Sequence, residues 1–148
     1  MLDPGSLYHD HLKPEELDFL KKTAAFCAQE IAPYATAWEE KEELPRDLFT
    51  KAGRAGLMGV LAPKEAGGRG LSMLCFCLAI DEIARHCGAF SMNLAAHHAP
   101  RVGHPPGFAR DGLTRQICPA VLNAHCIVAW PLPDPPAAPY PAVAQPTR

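Results

Sequence analysis

The chain has 148 residues and a formal net charge of −2, a length that fits one domain with a real core. So balanced a charge creates no overall field to draw it to nucleic acid or anionic lipid, and no stretch reaches the ~18 continuous apolar residues of a membrane span. Apolar residues make up 48% of the chain, which excludes wholesale disorder, while seven of its 16 prolines crowd into the last 18 residues.

Residues 1–13 read as a loose lead-in that is neither an apolar signal core nor an Arg-rich transit peptide. The expectation is a soluble, cytoplasmic protein, or one of the mitochondrial matrix in a eukaryote. Pro14-Glu15-Glu16 then starts a helix, with proline in the first turn and acids toward the positive end of the dipole. Leu17, Leu20, Ala24, Cys27 and Ile31 follow at helical spacing and predict one apolar stripe. Pro33 lacks the N–H that residue 29 would accept, so the helix should kink or break there. Trp38 and the run Glu39-Glu40-Lys41-Glu42-Glu43 close the element as a solvated face or loop. A second helix begins near Pro45, with Leu48, Phe49 and Ala52 on its inner face and Gly53 or Gly56 as its stop.

Gly56-Leu57-Met58-Gly59-Val60-Leu61-Ala62-Pro63 leads into Lys64-Glu65-Ala66-Gly67-Gly68-Arg69-Gly70. Glycines so dense mark a corner where φ can be positive and backbones can approach closely. Leu71 to Ala84 is apolar almost all round, which predicts a helix buried on most sides. Phe90 to His98 is a further helix, Arg101 to Gly107 a loop, Asp111 to Leu122 weakly helical, and Ile127-Val128-Ala129-Trp130 the start of a strand. The fold class is therefore mainly α. The six cysteines form no C-x-x-C pair and, in a chain with no secretory signal, are expected to stay reduced.

Several segments together resemble the N-terminal α-helical domain of the flavin-dependent acyl-CoA dehydrogenases. They are Glu30-Ile31-Ala32-Pro33, Leu44-Pro45-Arg46-Asp47-Leu48-Phe49, Gly56-Leu57-Met58-Gly59-Val60, Pro63 through Leu71, and Asp81-Glu82-Ile83-Ala84-Arg85. The likeness covers about residues 14–135, and the run from Arg85 to His97 looks most like the isovaleryl or branched-chain members. It implies a helical, up-down-like domain over 14–122, a degenerate start of the middle β-domain over 123–135, and a disordered Pro/Ala-rich tail over 136–148. The middle β-domain and the C-terminal helical bundle of the family are expected to be missing from this truncated chain.

Family members are similar in binding one FAD per subunit, in forming homotetramers or homodimers, and in oxidising the Cα–Cβ bond of an acyl-CoA thioester. A glutamate base takes the α-proton, and an electron-transfer flavoprotein receives the electrons. By the same resemblance that base falls beyond Arg148, so no residue of this chain is assigned a catalytic role. Ala129-Trp130-Pro131-Leu132-Pro133-Asp134-Pro135 falls on the family's flavin motif A-W-A-L-T-E-P, which places Trp130 and Leu132 beside the cofactor. Pro133 stands where the family has a threonine that hydrogen-bonds the flavin, and a pyrrolidine has neither hydroxyl nor N–H to offer. The chain alone is therefore expected not to hold FAD.

Phe90, Ser91 and Leu94 fall where relatives line the acyl end of the substrate pocket, although plain helix packing explains the same residues. Gly67-Gly68-Arg69-Gly70 lacks phosphate-loop spacing and reads as a structural turn. His97-His98 and His9-x-His11 lack the i, i+4 spacing of helical metal pairs, so no metal is assigned. Glu82 and Glu30 read as acids paired with Arg85 and Lys22 or their neighbours. The alternative to an enzyme fragment is a helical module that docks on a full-length homologue or another subunit.

Overall fold

A computed structural model describes residues 8–98, 120–122 and 124–127, and every regular element among them is helical. In order these are α1 (Pro14–Phe26), a π-helical turn (Cys27–Ile31), α2 (Ala35–Lys41), α3 (Arg46–Ala55), α4 (Met73–Ala84) and α5 (Gly88–His98). Short 3₁₀ turns occupy His9–His11, Leu57–Gly59 and Lys64–Ala66. The mainly α class holds. The expected loop at 101–107 lies outside the described residues, as does the strand expected from Ile127 to Trp130 except for Ile127 itself, which is not in a strand.

Helix α1 starts at Pro14 as expected, but its buried stripe is rotated from the predicted one. Glu16, Phe19, Thr23, Cys27 and Ile31 are buried, while Leu17 and Leu20 pack only partly against the core. The physical reason is that two polar residues on the inner face are satisfied there. The Thr23 hydroxyl donates to Phe19 O at 3.0 Å, and Glu16 is held by two backbone N–H groups. At Pro33 the helix does break: the turn before it widens, and Ala32 N–H donates five residues back to Cys27 O at 2.8 Å. This is how the chain accommodates a residue that can donate nothing.

Helix α2 ends at Glu42, which takes the left-handed conformation (φ 53°). Pro45 caps α3, whose buried face is Leu48, Phe49 and Ala52, and Gly56 (φ 81°) stops it, all as the sequence predicts. Helix α4 departs from expectation. Its core face is Cys75, Ala79 and Ile83, whereas Met73 is 57% exposed and Cys77 is exposed. It packs chiefly on α1 and α5, which among the described residues cover one face of a helix that is apolar on nearly all of them.

The core lies between α1, α3, α4 and α5. Phe49 of α3 meets Phe90 of α5 edge to face, with ring centroids 5.3 Å apart. Ile31, Met58, Ile83, Phe90 and Leu94 are fully buried, each worth ~1.5–3 kcal/mol in removal from water.

Candidate functional site

The glycine corner is where α3, α4 and α5 meet, and its geometry decides what it can bind. The chain folds back on itself: Arg69 N–H donates to Gly59 O (2.9 Å), Gly70 N–H to Ala62 O (2.8 Å) and Leu71 N–H to Val60 O (2.9 Å). Gly67 and Gly68 N–H donate to Lys64 O and Pro63 O, each at 3.0 Å. Every amide from 67 to 71 is thus spent inside the protein. The turn offers no N–H to a phosphate, and its reading as a structural corner stands on that accounting.

Two glycines there meet a limit of space, and for Gly56 (φ 81°) one of φ as well. A Cβ on Gly68 would lie 2.2 Å from Ala62 O. One on Gly56 would fall 2.1 Å from Arg69 Nε, because the guanidinium crosses the α3 terminus to donate to Ala55 O at 2.9 Å. The same guanidinium sits 5.4 Å from the centre of the Phe19 ring, a cation–π contact that ties α1 to the corner.

Glu16 joins the first turn of α1 to the start of α4. Its carboxylate accepts from Lys13 N–H at 2.9 Å and from Ser72 N–H at 2.8 Å. Burial pushes its pKa up, but the hydrogen bonds from Ser72 and Lys13 outweigh this and leave it below the usual glutamate value. Ser72 in turn caps α4, accepting from Cys75 N–H at 3.2 Å. Sequence reasoning assigned Glu16 to the helix dipole and missed this bridge. The pairing of an S-x-x start at Ser72 with an acid 56 residues earlier leaves no local signal.

His97 and His98 are both buried at the end of α5. Val60 N–H donates to His98 Nε2 at 3.3 Å, and His98 Nδ1 lies 2.9 Å from Leu94 O. Nε2 must therefore be the bare nitrogen, and Nδ1 carries the proton and donates to Leu94. That tautomer spends both ring nitrogens on backbone. Burial pushes His98 down and, with His98 beside it, takes His97 down to about 4. Among the described residues no group of three or more His, Cys, Asp or Glu converges to hold a metal ion.

Phe90, Ser91 and Leu94 lie on one face of α5, and all three are buried within the domain. Ser91 donates its hydroxyl to Gly88 O at 2.9 Å, and Phe90 is occupied by Phe49. Trp130 and Leu132 lie outside the described residues. Glu82 pairs with Arg85 at 3.9 Å as expected, but Glu30 pairs with Lys51 at 2.8 Å and Lys22 with Asp18 at 2.7 Å. The interhelical Glu30–Lys51 pair crosses from the π turn to α3, a neighbour that helical spacing alone cannot reveal. Cys27 and Cys75 are pushed up to about 12, chiefly by burial, so neither is a nucleophile.

A cavity of about 490 Å³ opens between α2 and α5 over Leu44, Phe49 and Cys87, with Glu39, Glu42 and Glu43 at its rim. Three carboxylates oppose a dinucleotide's pyrophosphate. With the corner's amides also spent, the described residues by themselves do not fit FAD.

Five short helices around a glycine corner form a helical domain that the comparisons identify. Residues 13–105 match the family profile described as acyl-CoA dehydrogenase, N-terminal domain. An acyl-CoA dehydrogenase of Bacillus subtilis is 30% identical over 125 residues, covering 84% of this chain and 33% of that protein. The mitochondrial isovaleryl-CoA dehydrogenase of Arabidopsis thaliana is 34% identical over 84 residues, 55% of this chain and 20% of its own. The solved structure of a probable acyl-CoA dehydrogenase from Mycobacterium abscessus superposes with a TM-score of 0.66 at 28% identity, over 76% of this chain and 30% of that one. The chain belongs to the acyl-CoA dehydrogenase family, in the part that forms its helical N-terminal domain. It spans a third or less of the length of these relatives.

Proposed function

We propose that this chain forms the helical wall of an FAD-dependent acyl-CoA dehydrogenase and does not oxidise acyl-CoA by itself. The observation that carries this is the unbroken family match over residues 13–105, which is a match to the N-terminal domain. The internal use of the corner's amides supports it, since the N–H groups of residues 67–71 are not left for a cofactor. In the reading proposed, Phe90, Ser91 and Leu94, buried within the domain, back the wall on the acyl side of a pocket that other domains complete. Flavin contact falls to Trp130 and Leu132, and electrons leave to an electron-transfer flavoprotein. The chemistry supplied by FAD, when bound, is acceptance of the β-hydride. This chain's described residues contribute apolar walls and exclusion of water.

Purification of the chain followed by a flavin absorbance spectrum and a dye-acceptor assay with branched and straight acyl-CoA tests the proposal. The expected result is a colourless protein without turnover. Bound flavin or measurable turnover would overturn it.

A second reading is favoured by a specific observation. Met73 and Met92 are 57% and 69% exposed on adjacent helices, and flexible thioethers on an open face suit docking. On that reading the chain associates with a full-length homologue or forms a homo-oligomer. Co-elution with an isovaleryl-type dehydrogenase supports it, and separate elution at micromolar concentration removes it.

A further inference from the structure

Tyr34 and Trp38 stack on α2, with ring centroids 5.8 Å apart and planes 24° from parallel, and Tyr34 remains 52% exposed. Trp38 lines two cavities at once. On one side is the 490 Å³ cleft over Leu44 and Phe49, and on the other a space of about 210 Å³ with Tyr34, Pro45 and Leu48. The two share the indole as a common wall; the larger is edged by Glu39, Glu42 and Glu43, the smaller by Glu30, Asp47 and Lys51. Grooves of stacked aromatics with apolar slots on either side are the geometry that receives a polyproline II helix, which enters already ordered and so loses little entropy.

The chain carries such a segment. From Pro131 to Pro141 it reads PLPDPPAAPYP, and Pro133, Pro136 and Pro139 recur every three residues. A polyproline II helix has three residues per turn, so those three prolines fall on one ridge. The described residues that lead toward it lie near the groove. Arg46, the first residue of α3, donates through Nη2 to Ala124 O at 2.7 Å and to His125 O at 3.0 Å. Its chain neighbours Pro45 and Asp47 both line the smaller cavity. Three residues separate Ile127 from Pro131, and the four steps reach up to ~14 Å. Within 131–141 the one charge is Asp134, so the docked segment has to turn that side chain away from the carboxylates at the rim.

We propose that the groove around Trp38 is a polyproline docking surface and that its occupant is this chain's own segment, Pro131–Pro141, bound in cis. The short link keeps the local concentration of the segment on the order of millimolar. A weak groove is therefore filled without any second molecule. The docked segment would cover the aromatic stack and hold the chain's proline-rich end against α2 and α3.

The test uses the full chain with Trp130→Phe, which leaves Trp38 as its only tryptophan. Its indole N–H resonance and its quenching by acrylamide are measured with and without Pro133→Gly, Pro136→Gly and Pro139→Gly together. The expected result is a moved indole resonance and a loss of protection from quencher, identical at low and high protein concentration. Far-UV circular dichroism should stay unchanged, because the substitutions fall beyond the described helices in sequence. With Tyr34→Ala already present, the same three substitutions should have a smaller effect, since half of the aromatic stack is gone. An unchanged indole and unchanged quenching would overturn the proposal. So would an effect that grows with protein concentration, which would mean docking on a second copy. A tail effect of full size in the Tyr34→Ala background would overturn it as well.

Discussion

Glu16 shows what one buried charge does when it is fully satisfied. Two backbone N–H groups from separate segments aim at it, and charge-assisted bonds of that kind are worth ~1.5–3 kcal/mol. Glu16→Gln keeps the shape and removes the charge, so urea unfolding at pH 7 should show a loss of ~1–3 kcal/mol. Because the folded pKa is depressed, this stabilisation is present above the ordinary glutamate value and disappears as pH falls through the folded one. The penalty of Glu16→Gln should shrink over the same range. His97 and His98 act on a higher window with the same sign. Their folded pKa values are depressed, His97 to about 4, so the unfolded chain takes up protons first. Stability should be full above ~6.5 and fall steadily toward pH 4, with His97 contributing up to ~3 kcal/mol. A melting temperature flat between pH 7 and 4.5 would contradict that account. Gly68→Ala is the steric counterpart. With a Cβ 2.2 Å from Ala62 O, it should cost ~2 kcal/mol or more in a thermal melt.

The elements were legible where apolar spacing and glycine or proline punctuation agreed. Pro14, Pro45 and Gly56 marked helix ends that the fold places there, and Leu48, Phe49 and Ala52 were buried as their spacing required. The inner face of α1 was not legible, because Glu16 and Thr23 count as solvent-facing until their partners on Ser72 and Phe19 are known. The exposure of α4 was hidden for the opposite reason. Periodicity reports how apolar a helix is, whereas the number of neighbours covering it belongs to the tertiary fold. Of the candidate site, the shared face of Phe90, Ser91 and Leu94 could be read from spacing. Their enclosure by Phe49 and by Gly88 O could not. Thiol reactivity measures these faces directly. Cys77 and Cys126 are exposed, while Cys27 and Cys75 are buried with raised pKa values. Iodoacetamide labelling with mass-spectrometric readout should therefore modify the first two in the native protein and the second two only in denaturant.

At the scale of the whole molecule, family membership and activity rest on different observations. Membership rests on residues 13–105 and on relatives at 30% identity across most of the chain. Activity, in the function proposed, requires a flavin that the described residues do not fit: their corner amides are spent and the cavity between α2 and α5 is acid-rimmed. Equilibrium dialysis of the purified chain against FAD tests that claim most directly. The account predicts no FAD retained above the buffer level, and retention approaching one FAD per chain would contradict it.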